Sequence, residues 1–349
     1  MRNNIEGTER KKYLDVLRAL SAMAVIVIHV SANNWYGYIG SYNWIVFTIY
    51  EGFAKVAVPI FFMISGCLLL NKEYTLRSLY SKIAKLLFFL FFWSFIYKLI
   101  QLPGEYRNIH GIINSIKEII LGNTQSHLWF IYSIIGLYMI TPILFSFVYN
   151  SSNARIIYAI IIIFIVDSLF EMFMQFDKMD IITNNISKFK SGYSFGYIGY
   201  FLLGYYLSKN EFKRKKCIII YILGFFSALI TIGLVVFDCV TSQTLSERYW
   251  SYTMPFMVIY SCAWFIFVKN MCNRVNTKAL SIITRVADLS LGIYGIHFIF
   301  ILAFWKIGFS TFLFNGLFSV PIISVVVFVC SLITTMIIRK IPVIGKYIV

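Results

Sequence analysis

The sequence predicts an all-α protein, a polytopic transmembrane helical bundle of about ten spans with both termini in the cytoplasm. Three observations predict it. Of the 349 residues, 59% are hydrophobic and 13% are charged, about half the charged share of a soluble domain. The apolar residues fall in long uncharged blocks, among them Leu86–Tyr97, Ile156–Val166 and Val320–Ile338. Roughly 18–20 such residues suffice for a helix to cross the hydrocarbon. Finally, the lysines and arginines are divided unequally between the segments that join these blocks.

In chain order, the first five spans are Tyr13–Ala32, Ile45–Leu70, Leu86–Leu102, Leu128–Tyr149 and Ile156–Phe176. The next five are Ser191–Leu207, Ile218–Phe237, Tyr252–Val268, Ala287–Trp305 and Val320–Ile338. The ninth has the weakest signal, because Gly292 and Gly295 interrupt it. With the N-terminus inside, the inner connections hold 21 Lys/Arg and the outer ones seven, while Arg18, Lys55 and Lys98 lie within spans. Such a bias places the richer side in the cytoplasm. Lys209–Lys216 is its clearest single marker, and the membrane is expected to be an inner or plasma membrane.

The same distribution argues against nucleic acid as a partner despite the net charge of +16, since no continuous basic face forms. Six cysteines include no C-x-x-C pair and no zinc-ligand spacing, so neither a disulfide framework nor a metal site is expected. The first apolar block is interrupted by Asp15 and Arg18 and has no small-x-small cleavage site, unlike a secretory signal. No internal repeat marks an inverted-repeat transporter. The chain reads as one transmembrane domain over residues 1–349, with any chemistry inside the bundle or at its rims.

Ionisable side chains within spans each cost about 2.5–3.5 kcal/mol even on lenient insertion scales, so they are the first candidates for function. On the first span, Arg18 and His29 are eleven residues apart, about 20° beyond three full turns, and so share one face about 16 Å apart. Asp15 stands three residues before Arg18, where the two can pair. Arg18 can instead snorkel to the inner surface, and His29 can be a satisfied interhelical hydrogen-bonding residue. On the second span, Glu51 and Lys55 have the i,i+4 spacing of a structural ion pair. His127 and Trp129 open the fourth span at the outer rim, where Trp129 reads as part of the aromatic belt. Asp167 and Glu171 near the outer end of the fifth span read as solvated. His297, after Tyr294 on the ninth, reads as a core hydrogen-bonding residue.

Several segments together resemble the acyltransferase-3 family of integral-membrane acyltransferases. They are Leu14-Asp15-Val16-Leu17-Arg18-Ala19 with the Arg-x10-His spacing to His29, Val58-Pro59-Ile60-Phe61-Phe62-Met63-Ile64-Ser65-Gly66, and His127-Leu128-Trp129-Phe130 leading to Thr141-Pro142. Tyr200-Phe201-Leu202-Leu203-Gly204-Tyr205 and Leu289-Ser290-Leu291-Gly292-Ile293-Tyr294-Gly295-Ile296-His297 continue the series along nearly the whole chain.

The resemblance implies transfer of an acyl group, usually acetyl, from cytoplasmic acyl-CoA to a hydroxyl facing outward on a surface polysaccharide, lipid-linked sugar or cell-wall glycan. It implies Arg18 and His29 as the residues required for activity, while Asp15, Glu51, Lys55 and His127 are supporting candidates by their own positions within or beside the spans. It also implies a basic pair before the third span for the CoA end. Here Lys82 and Lys85 stand where Arg-x-x-Arg is usual, and Lys55 where Arg is common, so the bidentate grip of a guanidinium is missing at those positions. Acyl-CoA enters as a donor substrate, with no permanently bound cofactor. Independently of the resemblance, a hydroxyl attacking a thioester needs a base near neutrality, and imidazole supplies one. Two other classes stay open at this stage. A lipid-linked-sugar transporter or flippase would use Arg18, Glu51 and Lys55 without CoA, and a sensing or anchoring domain would need a partner chain.

Overall fold

The computed structural model describes residues 11–32, 35, 37–104, 108–173, 195–342 and 345–349. Among them the secondary structure is helical. The helices are α1 (Lys12–Ala32), α2 (Tyr42–Ala54), α3 (Ala57–Leu69), α4 (Leu76–Gln101), α5 (Ile109–Ile120), α6 (Trp129–Tyr149) and α7 (Asn153–Phe173). After the residues outside the description come α8 (Phe195–Lys209), α9 (Arg214–Ser242), α10 (Pro255–Met271), α11 (Thr277–Asp288), α12 (Ser290–Lys306), α13 (Gly316–Arg339) and α14 (Gly345–Ile348).

Seven of the described spans are long and apolar enough to cross a membrane, and α11 with α12 makes an eighth if that bent pair is one span. These eight fall on eight of the ten expected spans. The other two, the fifth and sixth, border residues 174–194, which lie outside the described residues; α7 and α8 are their described parts.

One expected span is broken and another begins at a sharp bend, each for a local reason. The second divides at Lys55–Val56 into α2 and α3. Pro59 has no N–H to give the Lys55 carbonyl, so one rung of the helix is missing at that turn. The ninth, Ala287–Trp305, lies almost wholly in α12, and the helix before it, α11, meets α12 at a bend of 69°. α11 is amphipathic, with Lys278, Ser281 and Arg285 exposed and Leu280 and Ala287 buried, so a course along the bundle's edge suits it better than a course across the membrane. A second amphipathic helix, α5, occupies what the sequence presents as an outer connection, with Ile109, Ile113 and Ile120 exposed.

α1 is the central helix, packed on α2, α3, α10, α11, α12 and α13. That position explains why its residues Leu17 and Ile26 have no exposure at all. The largest buried cluster joins Leu17 of α1 to Phe62 and Met63 of α3, Tyr200 and Phe201 of α8 and Phe265 of α10. α14 tucks under α4, where the Trp93 indole N–H donates to the Ile348 carbonyl at 3.2 Å and Lys85 Nζ to the Val349 carbonyl at 3.2 Å.

Asp167 differs from its expected solvation. It is 5% exposed, packed against Gly196 beside Ser168, whose hydroxyl donates to the Thr253 carbonyl at 2.6 Å. The cause is that α7 packs flat on α8, which covers this face of the helix. The Glu171 side chain lies outside the described ones.

Candidate active site

Three of the four histidines meet at one end of the bundle. His29 comes from the last turn of α1, His127 from a single 3-10 turn (Ser126–Leu128) that leads into α6, and His297 from the middle of α12. Their ring centroids are 5.2 Å apart for His29–His297, 5.2 Å for His127–His297 and 5.8 Å for His29–His127. His110, on α5, is exposed and outside this group. Among the described residues no set of three His, Cys, Asp or Glu side chains could hold a metal ion.

Aromatic side chains and one backbone network hold the imidazoles. The His127 ring lies on Phe298, with centroids 5.1 Å apart and planes at 27°, and has the Tyr97 ring against it at 5.0 Å. The Tyr294 hydroxyl donates to the His127 carbonyl. His297 Nδ1 lies 2.7 Å from the Tyr294 carbonyl, and the Tyr97 hydroxyl donates to the Gly295 carbonyl at 2.8 Å. The third, fourth and ninth expected spans are thereby tied together at the height of His29.

His29 is half-buried in the wall of a small cavity of about 40 Å³, shared with His127, Trp129, Tyr252, Val25 and Ile28. A larger cavity of about 250 Å³ opens towards the other end of the bundle, lined by Arg18, Ser65, Lys85, Tyr138, Asp288 and Val349. Phe61, Phe130 and Tyr294 line both cavities. Phe130 stands 5.8 Å from each of the other two rings, so the three form an aromatic partition between the cavities. The two spaces therefore lie in series along α1, with Arg18 in the first and His29 in the second.

Arg18 is half-buried and lines the larger of the two spaces. The family model for the acyltransferase-3 domain matches residues 11–339. The chain belongs to the acyltransferase-3 family. It is an acyltransferase of the membrane-embedded kind, and its conspicuous polar residues can be placed in that light. No curated protein and no solved structure matches it significantly.

The remaining expected site residues of the acyltransferase are distributed as follows. Asp15 is buried and accepts from the Thr284 hydroxyl at 3.2 Å, so α11 holds the carboxylate while Arg18 lines the cavity. Lys85 lines the Arg18 cavity; Lys82 is half-buried outside it. Glu51 and Lys55 form the expected pair, with Nζ 3.5 Å from Oε1, and both are buried. The Lys55 ammonium also stands over the Trp250 ring at 4.9 Å and the Tyr252 ring at 5.3 Å, a desolvated setting in which such contacts are strong. Tyr252 links this pair to the His29 cavity, and Trp129 stacks on it at 5.8 Å. Trp129 is thus part of the cavity wall as well as of the rim.

Sequence reasoning singled out His29 and His127 but read His297 as a core hydrogen-bonding residue, quoted Phe61, Phe130 and Tyr294 only as members of motif segments, and gave Tyr252 no role. The i,i+3 spacing of Tyr294 and His297 was the available signal, since it puts both on one helical face. For Phe61 and Phe130 the signal was only membership of the segments Val58–Gly66 and His127–Phe130, which does not tell them from the aromatic residues beside them.

Proposed function

We propose that this acyltransferase moves an acyl group, acetyl in the simplest case, from cytoplasmic acyl-CoA to a hydroxyl of an outward-facing glycan or lipid-linked sugar. The observation that carries the reading is the pair of cavities in series along α1, with cations in one and imidazoles in the other. With the Lys/Arg-rich side inward, Arg18 and Lys85 would receive the phosphates of the donor from the cytoplasm. The rise of about 16 Å from Arg18 to His29 is of the order of an extended pantetheine arm, which would pass the Phe61–Phe130–Tyr294 partition. The reactive thioester would then meet the acceptor beside His29.

The chemistry needs one proton carrier. His29 takes the proton of the acceptor hydroxyl as its oxygen attacks the thioester carbonyl carbon. The carbon–sulfur bond then breaks, and the CoA thiolate takes the proton back from the imidazolium. Trp129 and Tyr252, stacked at the cavity wall, offer the apolar faces against which a sugar ring packs.

The test is transfer of label from acetyl-CoA by the reconstituted chain to a cell-envelope glycan fraction, followed by mass spectrometry of the product. His29→Ala should lower the rate by about 10²–10⁴-fold, the usual contribution of a general base, with normal insertion. Substantial transfer by His29→Ala at normal expression would remove His29 as the base, and absence of transfer from any acyl-CoA by the wild type would remove the reading itself.

A further inference from the structure

The helix α5 takes no part in the chemistry above, yet three different surroundings meet around it. At 100° per residue its side chains fall into three sectors. Gly111, Ser115 and Ile119 form the first and are buried, and α4 is the helix on which α5 packs. Ile109, Ile112, Ile113, Ile116 and Ile120 form the second, an arc of about 100° with no polar side chain in it. Four of these isoleucines are exposed and Ile116 is half-buried. His110, Asn114 and Lys117 form the third sector, and all three are exposed. We propose that α5 is a membrane-surface helix. Its isoleucine stripe lies in the lipid leaflet at the histidine end of the bundle, while His110, Asn114 and Lys117 face the water.

The height of α5 decides what covers the stripe. α4 has 26 residues, about 39 Å of helix, against a hydrocarbon core about 30 Å thick. Its last turn therefore stands at headgroup level. Lys98, in that turn, has its ammonium 3.9 Å from the Glu118 carboxylate of α5, and the Gln101 side-chain amide donates to the Gln125 side chain at 2.9 Å. α5 is thereby held beside the end of a span. A helix with one open side apolar and the adjacent side polar fits one setting at that height. It lies in the plane of the interface, with the apolar side among the acyl chains and the polar side wet. A protein partner would have to displace lipid to reach the same five isoleucines.

The leaflet is the one at the histidine end, because the loop after α5 leads directly to the turn that carries His127. The Asn123 N–H donates to the Glu118 carbonyl at 2.9 Å, and its side-chain amide donates to the Glu118 carboxylate at 2.7 Å. The Leu128 N–H then donates to the Gln125 carbonyl at 2.9 Å. Glu118 thus joins the end of α4, the end of α5 and the loop before His127. Only that hydrogen-bonded loop separates the lipid-facing helix from the wall of the His29 cavity.

The experiment needs no acyl-CoA, so its outcome is independent of the acyl-transfer reading. Cys262 and Cys330, the two cysteines that are not buried, are changed to Ser in the full chain. A nitroxide is then attached at Ile113→Cys, Asn114→Cys, Lys117→Cys or Ile120→Cys, one at a time. All these positions are exposed, so a label there leaves the packing alone. Each protein is reconstituted in vesicles of phosphatidylethanolamine and phosphatidylglycerol. Electron paramagnetic resonance then measures collisions with oxygen, which concentrates in the acyl chains, and with a water-soluble nickel chelate. Labels at Ile113 and Ile120 should meet mainly oxygen, at a depth of about 5–10 Å below the headgroup boundary. Labels at Asn114 and Lys117 should meet mainly nickel, although Asn114 is next to Ile113 in the chain. Nickel access at every position would overturn the inference and lift α5 clear of the membrane. Shielding of Ile113 and Ile120 from both reagents would overturn it in favour of a protein partner on the stripe. Equal depth at every position would overturn it in favour of a helix sunk in the hydrocarbon.

Discussion

Gly66 of α3 and Gly204 of α8 are reciprocal contacts: a Cβ on Gly66 would strike the Phe201 carbonyl, and one on Gly204 would strike the Met63 carbonyl. The two helices cross backbone to backbone at this point, the close approach that small residues permit between membrane helices. The crossing matters to the site, because α3 carries Phe61 and Ser65 into the cavities and α8 supports it from behind. The segments that face each other here, Phe61–Leu69 and Tyr200–Leu207, each carry aromatic residues and a single glycine.

Gly66→Ala and Gly204→Ala should each therefore destabilise the bundle, by about 1–3 kcal/mol from overpacking, since the obstructing atoms are backbone and cannot turn aside. Thermal unfolding in detergent would read this as a lowered Tm. The double variant should cost less than the sum of the two, because the first displacement of the helices makes room for the second. Strict additivity would mean that the two glycines are not coupled.

Much of the bundle is legible in composition. α9 over residues 217–237 and α13 over residues 316–338 carry no charge, and a helix of that length and hydropathy has one place to go. The breaks were less legible. Pro59 announces one, but its effect on Lys55, four residues earlier, depends on which carbonyl loses its donor. The 69° bend before Ser290 follows from α11 being amphipathic, and α11 lies almost wholly outside the expected span Ala287–Trp305. At the site, the common face of Arg18 and His29 is simple helix arithmetic. The meeting of His29 with His127 and His297 is not, because it depends on how α1, α6 and α12 lie side by side. A single helical period carries no information about its neighbours.

The charges along α1 lead to a prediction about donor binding. Arg18 and Lys85 line the same cavity, Lys82 does not, and Asp15 is held by Thr284. Arg18→Ala should insert normally, because the Asp15 carboxylate keeps its hydroxyl partner. Hydrogen bonds to charged groups contribute about 1.5–3 kcal/mol, so Arg18→Ala and Lys85→Ala should each raise KM for acyl-CoA by about 10–100-fold. Arg18→Lys should recover little of this, because a point charge cannot reproduce a planar fork. Lys82→Ala should leave KM within about threefold. Steady-state kinetics at varied acyl-CoA concentration checks all four. A larger effect at Lys82 than at Lys85 would move the donor site out of this cavity.

The partition between the cavities leads to a prediction about the acyl group itself. Phe61, Phe130 and Tyr294 line both spaces, so a thioester reaching His29 from the Arg18 side must pass them, and the space beyond is about 40 Å³. That is little room for more than a short acyl chain, and the walls rather than any polar contact would set the limit. Of the three, Tyr294 also supports His127 through its hydroxyl, and Phe130 packs closely on Phe62, with ring centroids 4.8 Å apart. Phe61 is half-buried and is the member that can be changed with least damage. Phe61→Leu removes part of a ring while keeping an apolar side chain. It should raise the rate with butyryl-CoA relative to acetyl-CoA by about tenfold, the discrimination that one or two methylenes provide in an apolar pocket. Phe61→Trp should do the reverse, with most of the loss in kcat, because the phosphates still bind while the thioester no longer reaches the imidazole. Competition between the two donors in one reaction, with products separated by mass, measures the ratio directly. A ratio unchanged in both variants would mean that the acyl group does not travel past Phe61.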